Sequence, residues 1–395
     1  MLYENISLPR EVENIISQLE AAGFRADAVG GAVRDSLLGK SPFDYDITTS
    51  AAPDEMKAVF SPEKLIETGI KHGTLTLVLD GKPYEITTYR IDGEYSDSRH
   101  PESVSFTRNI EDDLSRRDFT VNAMAYSAKR GLTDLFSGRE DLERGIIRAV
   151  GEPRRRFEED ALRILRALRF ASVLDFEIEE KTEEALISLR EKLSAVSKER
   201  IYSEFMKLLG GVGAHRILSK YSAIISVAVP ELKYYTLPDR ERFDRANTLL
   251  RLAALFADKD SAAANAALAN LRADNKTKNT VSAIIENRKN SLNGSREMKH
   301  ALSRLSEETV SLTVDFREML GISDGEEREI LDAVLSSGEC YKLAMLKING
   351  EDICRLGIKG KAVGEMLEAL LCAVIDGEVS NNGDSLAEYA VKLKK

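Results

Sequence analysis

The hydrophobic period of this chain changes once, near residue 150, and that change does most to limit the folds open to it. Before it, short alternating runs are punctuated by glycine. Residues 25–29 read as a strand, Gly30-Gly31 opens a helix that Gly39 and Pro42 stop, and a strand of period-two alternation begins at Asp44 and runs to Thr48. Residues 74–79 and 84–89, joined by Asp80-Gly81-Lys82-Pro83, read as a hairpin, and the polar stretch 92–107 as a long loop. Beyond residue 150 the 3.6-residue period takes over, predicting helices at 157–171, 182–193, 200–209, 249–271 and 363–375. No fixed-period repeat or low-complexity tail appears. The pattern predicts an α/β head on a long all-helical remainder, and 395 residues exceed what one core serves.

Charge is the next constraint. A net charge of −10 opposes nucleic-acid binding as an average, yet residues 144–169 hold eight arginines against four acidic residues. Basic clusters recur at Arg116-Arg117 and at Lys359 and Lys361. Each is either solvated surface or an RNA contact. The three cysteines, Cys340, Cys354 and Cys372, are odd in number and scattered, which reads as reduced thiols. No run of 18 apolar residues occurs, and residues 1–10 lack a basic-then-apolar leader. The expectation is a cytoplasmic protein with no membrane contact and no evident protein partner.

The sharpest local signal joins Gly30-Gly31-Ala32-Val33-Arg34-Asp35 to Asp44-Tyr45-Asp46 nine residues later. Carboxylates at i and i+2 of a strand share a face about 6.5 Å apart, a separation that suits two divalent cations roughly 3.5–4 Å apart. Oxygen-only ligands favour Mg²⁺ over zinc. Glycines at a strand-to-helix junction let a phosphate approach free backbone N–H groups, and Arg34 stands one turn on to add a charge-assisted contact. Glu85 is either a third carboxylate of this site or an outward-facing strand glutamate.

The run of residues 30–49, GGAVRDSLLGKSPFDYDITT, resembles the signature of class II tRNA nucleotidyltransferases and bacterial poly(A) polymerases. The similarity continues in order through KHGTLTL, EITTYR, DGEYSDSRHPESVSF, EDDLSRRDFTVNAMAY, DLFSGREDLERGIIRAVG, RFEEDALRILRALRF and SKERIYSEFMKLL, covering residues 20–210. The resemblance implies an α/β head of the polymerase-β-like nucleotidyltransferase type followed by an all-α neck, body and tail. Their expected bounds are 1–145, 146–209, 210–310 and 311–395. It implies template-independent addition of C, C and A to the 3′ end of tRNA from CTP and ATP, with Mg²⁺ as cofactor and tRNA as partner.

Carried over residue by residue, it makes Asp44 and Asp46 metal ligands and Glu85 a third catalytic carboxylate. Gly31 and Arg34 would contact the nucleotide. Arg117 and Asp118 would read the ribose, with Asn122 in support. Asp134 and Gly138 match a hinge segment. Asp160 and Arg163 would read the base edge, Arg166 and Arg169 would add nucleotide contacts, and Arg200 and Glu204 would brace the neck.

A carboxylate beside a guanidinium suits cytosine and adenine, which donate from an exocyclic amine and accept at a ring nitrogen; uracil and guanine present the opposite polarity. The same spacing equally fits a salt bridge three residues apart on an exposed helix. Residues 348–364 resemble the tail of bacterial CCA-adding enzymes, and their Gly-Ile-Lys-Gly-Lys turn is either an RNA-phosphate grip or a plain connection. The four histidines, His72, His100, His215 and His300, show no HD pairing.

Alternatives stay open. One is a poly(A) polymerase, or a partial CC- or A-adding enzyme, against which the loop DGEYSDSRHP and the segment KHGTLTL both speak. A second is a transferase acting on a small molecule, which would not need the helical remainder. The third is a catalytically dead RNA-binding protein, which would have no use for clustered carboxylates.

Overall fold

A computed structural model describes residues 6–61, 63–93 and 104–394; residues 94–103 of the predicted loop, with His100, lie outside the described residues. Contacts divide the chain into two units, Met1–Lys233 and Tyr234–Lys395. The body expected at 210–310 straddles that division.

The first unit is built on seven strands: β1 (Ala26–Val29), β2 (Asp46–Thr49), β3 (Lys64–Ile66), β4 (Thr74–Leu79) and β5 (Lys82–Thr88), then, beyond a separate ribbon of β6 (Arg90–Asp92) and β7 (Val104–Phe106), β8 (Met124–Ser127) and β9 (Gly131–Asp134). They form one sheet in the order β3-β4-β5-β2-β1-β8-β9, with β2 parallel to β5 and antiparallel to β1. Lateral neighbours share a face. One face therefore carries Ala28, Ile47, Ile86 and Leu75, all buried. Helices α1 (Arg10–Ala21) and α3 (Pro53–Val59) pack against these strands. The other face carries a polar row, Asp27, Thr48, Thr87 and Thr74, and one step along it Val29, Asp46, Glu85 and Thr76.

The β4–β5 hairpin turns tighter than expected. Asp80 and Gly81 alone form the loop, both at positive φ (51° and 78°), and Lys82 already pairs with Leu79. Pro83 fits as the next residue, opposite Val78, where its missing N–H belongs to the non-hydrogen-bonded pair. β2 begins later than expected, at Asp46, because β1 ends at Val29 and Gly30 turns away, leaving Asp44 no partner strand.

Helices α2 (Gly31–Leu37), α4 (Ile110–Ser115) and α5 (Gly138–Arg144) complete the head. Next come a two-residue parallel pairing of β10 (Ile146–Ile147) with β11 (Glu177–Ile178) and helices α6 (Pro153–Glu159), α7 (Leu162–Leu174), α8 (Glu180–Leu189) and α9 (Lys198–Leu209). The helix expected at 157–171 is thus two. Asp160 takes an extended backbone (φ −142°, ψ 105°) and its carboxylate accepts from the Leu162 N–H at 3.0 Å, starting a new helix in competition with the old.

Among the described residues, every element of the second unit is a helix. The helix expected at 249–271 divides into Thr248–Ala254 and Ser261–Asn270, because Asp260 caps the second by accepting from the Ala263 N–H at 2.7 Å. Two apolar clusters stabilise this unit, one around Met298, Leu302, Val314 and Leu331, the other around Ile353, Leu370, Leu371 and Leu386. Lys361–Ile375 matches the helix expected at 363–375.

Candidate active site

Asp46 opens β2 level with Glu85 on β5, on the polar face, and Asp44 lies just ahead on the same chain. Solvent reaches the Asp46 side chain, yet its flanks are crowded with protein. Loss of hydration raises its pKa first, and the charges of Asp44 and Glu85 raise it further, while Arg117 opposes them. Asp46 therefore feels both of the other carboxylates. Among the described residues, no three acidic, thiol or imidazole side chains converge tightly enough to enclose a metal alone. A magnesium ion does not require that: it commonly takes one or two carboxylates and completes its shell with water and substrate phosphate. Mutually repelling oxygen donors on an open face fit such a cation.

Gly30 caps α2 at φ 74°, ψ −128°, a conformation open in practice only to glycine. A Cβ here would also sit 3.2 Å from Arg117 Nη1, so that side-chain end would have to shift. Arg34 donates to Asp35 from Nε (2.8 Å) and Nη2 (3.0 Å) and to Asn122 Oδ1 from Nη1 (2.6 Å). Asn122 in turn donates to Asp118 Oδ1 at 3.2 Å. Gly31, Arg34, Arg117, Asp118 and Asn122 thus form one neighbourhood around the start of α2.

Sequence reasoning missed the acid that anchors it. Asp113 is wholly buried and accepts from Arg116 (2.7 and 3.1 Å), Arg117 (3.2 Å) and Thr48 on β2 (3.2 Å). Burial pushes its pKa up, but Arg117 and Arg116 outweigh that and hold it below the ordinary carboxylate range. The signal was present: Asp113 stands three and four residues before the paired arginines, on α4.

Asp118 takes a two-pronged grip from Arg166 (Nε 2.8 Å, Nη2 2.5 Å). Burial would raise its pKa, yet Arg166 overrides this and holds it at about 2. Arg169 pairs with buried Glu204 at 2.9 Å, and burial lowers its pKa to about 10 despite that partner. Asp160 and Arg163 are not paired to each other. Asp160 holds Arg200 at 2.6 Å, and Arg163 donates to Glu159 (2.8 Å), the Arg156 carbonyl (3.2 Å) and the Arg116 carbonyl (3.0 Å). Glu159, four residues before Arg163, is a second partner the sequence reading overlooked. Asp134 accepts from the Gly138 and Arg139 N–H groups (2.9 and 2.8 Å), and a Cβ on Gly138 would lie 2.2 Å from the Thr120 carbonyl oxygen. That segment is clamped to the head.

Crowded acids beside arginines that buried acids hold in place are borne here on the sheet of a polymerase-β-like nucleotidyltransferase head. Comparison with known proteins narrows the class. The sequence profile of the Poly A polymerase head domain matches residues 26–148, and those of "Probable RNA and SrmB- binding site of polymerase A" and tRNA nucleotidyltransferase domain 2 match residues 175–223 and 245–390. The CCA-adding enzyme of Leuconostoc mesenteroides is 36% identical over 398 residues, covering 97% of each chain. The Bacillus stearothermophilus CCA-adding enzyme, solved in complex with CTP, superposes with a TM-score of 0.77 at 32% identity, over 98% of this chain and 97% of that one. The Thermotoga maritima CCA-adding enzyme complexed with tRNA shares the fold, with a TM-score of 0.71 at 24% identity over 99% and 97% of the two chains. The chain belongs to the CCA-adding tRNA nucleotidyltransferase family.

Among the described residues no helix is long and apolar enough to cross a membrane, and all three cysteines are free.

Proposed function

We propose that this enzyme adds C, C and A in turn to the 3′ end of tRNA, taking CTP and ATP and releasing diphosphate. The terminal 3′-hydroxyl oxygen bonds to the α-phosphorus as the bond to the β-phosphate bridge breaks. The observation that carries this is the placement of Asp46 level with Glu85 and just after Asp44, on a face shared with Arg117 and the glycine-opened α2. Asp44 and Asp46 would hold Mg²⁺, with Glu85 adding negative charge beside them. Bound there, the cation supplies activation of the hydroxyl and offsets charge on the triphosphate.

The chain's own groups do the rest. The α2 N-terminus at Gly31 presents backbone N–H donors to phosphate, and Arg34, Arg166 and Arg169 add charge. Arg117 and Asp118 read the ribose. Asp160 and Arg163 select the base, for which they retain capacity: a carboxylate has about four lone-pair sites, and a guanidinium five N–H donors, of which Arg163 uses three.

We assign the head to 1–145, the base-reading neck to 146–209, the body to 210–310 and tRNA binding to the tail at 311–395. Gly360 supports the tail's role by opening a 15-residue helix at φ 65°, ψ −139° between exposed Lys359 and Lys361. Free thiols and a tRNA substrate support a cytoplasmic setting.

The test is product length. Enzyme and Mg²⁺ are given a tRNA lacking CCA, one ending in CC, and an unrelated RNA, with CTP or ATP singly and together. Growth confined to tRNA and stopping at the completed CCA supports the reading. Long A-tails on any RNA would replace it with poly(A) synthesis.

A further inference from the structure

Three arginines assigned above to the nucleotide gather around one aromatic ring. The guanidinium carbons of Arg34 and Arg166 each lie 5.4 Å from the centroid of Phe170, and that of Arg169 lies 3.7 Å from it. They come from two elements, α2 and α7, and the ring is carried by α7 itself. Phe170 is only 6% exposed, so it is not available to stack on a base. Its neighbour Phe119 meets it edge-to-face at 5.6 Å and 74°, and the Phe119 N–H donates to Asp118 at 2.8 Å. The ring is thereby fixed to the same segment that grips Arg166.

Three guanidiniums this close repel one another. Asp35 serves Arg34 and Asp118 serves Arg166, while Glu204 reaches both Arg169 (2.9 Å) and Arg166 (3.7 Å). No one acid serves all three. The ring is the neighbour all three share, and its electron-rich face attracts cations most where water is excluded. An aliphatic side chain of like size would fill the space and leave the three charges without a common attractor.

We infer that Phe170 is a positioning residue, whose ring holds Arg34, Arg166 and Arg169 together as one cationic wall for the incoming triphosphate. This rests on the assignment of those arginines to the nucleotide. Arg34 already commits three of its five N–H groups to Asp35 and Asn122, so two remain for phosphate, and holding the guanidinium in place decides where those two point.

The test uses the full-length enzyme with Phe170 replaced, by nonsense suppression, with mono-, di- and trifluorinated phenylalanine, which drain the ring face while nearly keeping its shape. The KM for CTP should climb stepwise, by about tenfold in total, while kcat and the KM for tRNA stay within about twofold. Phe170→Leu should raise the KM for CTP at least as far. A flat KM across the fluorinated series, with Arg166→Ala still raising it, would reduce Phe170 to core packing and leave the nucleotide assignment standing. If Arg166→Ala itself leaves the KM for CTP unchanged, the assignment of the arginines fails and the role of Phe170 fails with it.

Discussion

Two helices in this protein begin on a glycine bent almost the same way, Gly30 in the head (φ 74°, ψ −128°) and Gly360 near the C-terminus (φ 65°, ψ −139°). Each turns the chain so that the first N–H groups of a helix are free for an anion. Their surroundings differ. A Cβ on Gly30 would press on Arg117, and the site is crowded with side chains already hydrogen-bonded to one another. A Cβ on Gly360 would meet nothing within 4 Å, and only exposed lysines flank it. The backbone makes both places ready for phosphate. On the function proposed above, the side chains would make one a reaction site for a small triphosphate and leave the other an open contact for a polymer.

The largest effect separating the two places should come from Asp44 and Asp46, beside Gly30 in the head. Asp46→Ala or Asp44→Ala should cut CMP transfer by about 10³-fold or more, with tRNA affinity in filter binding nearly unchanged. Turnover close to wild type in either variant would erase the contrast. Next in size, Asp160→Ala or Arg163→Ala should relax the preference for CTP over UTP by roughly 10–100-fold, since a base-reading group left unpaired is what enforces rejection. Intact discrimination in competition assays would move base selection elsewhere.

The glycines themselves come third. Gly30→Ala adds backbone strain of about 1–3 kcal/mol and displaces Arg117, so the KM for CTP should rise about tenfold. Gly360→Ala meets strain alone, and only the KM for tRNA should move. Smaller still, Lys359→Ala with Lys361→Ala should weaken tRNA binding a few-fold and lower the salt slope by about 1–2, with nucleotide KM unaffected.

The smallest effect is on stability in acid. Asp118 has its folded pKa held at about 2 from an ordinary 3.8, so its contribution is present above pH 3.8 and fades as pH falls towards 2. Urea midpoints of the native protein and Asp118→Asn should differ near pH 5, and the gap should close over that window.

What could be read from the sequence follows a physical divide. Local chemistry was legible: Gly30 opening α2, the Asp80-Gly81 hairpin and the helix at 361–375 are dictated by residues within a few positions of one another. The breaks at Asp160 and Asp260 escaped because an aspartate fits a helical period on paper, while its carboxylate can instead cap a new start. At the site, the residue types were legible and their pairings were not. Asp160 binds Arg200, forty positions on, and Thr48 meets Asp113 across 65, distances that no spacing rule spans. Arg169, which the resemblance assigns to the nucleotide, is held over Phe170 and against Glu204.

The central claim is that Asp44 and Asp46 hold divalent cations against a triphosphate. Manganese binding, counted by electron paramagnetic resonance in the presence of a non-reactive CTP analogue and tRNA, tests it most directly. The native protein should bind more Mn²⁺ than the analogue and tRNA bind without it, and Asp44→Asn and Asp46→Asn should each lose at least one of those ions. The same count in all three proteins would contradict the account.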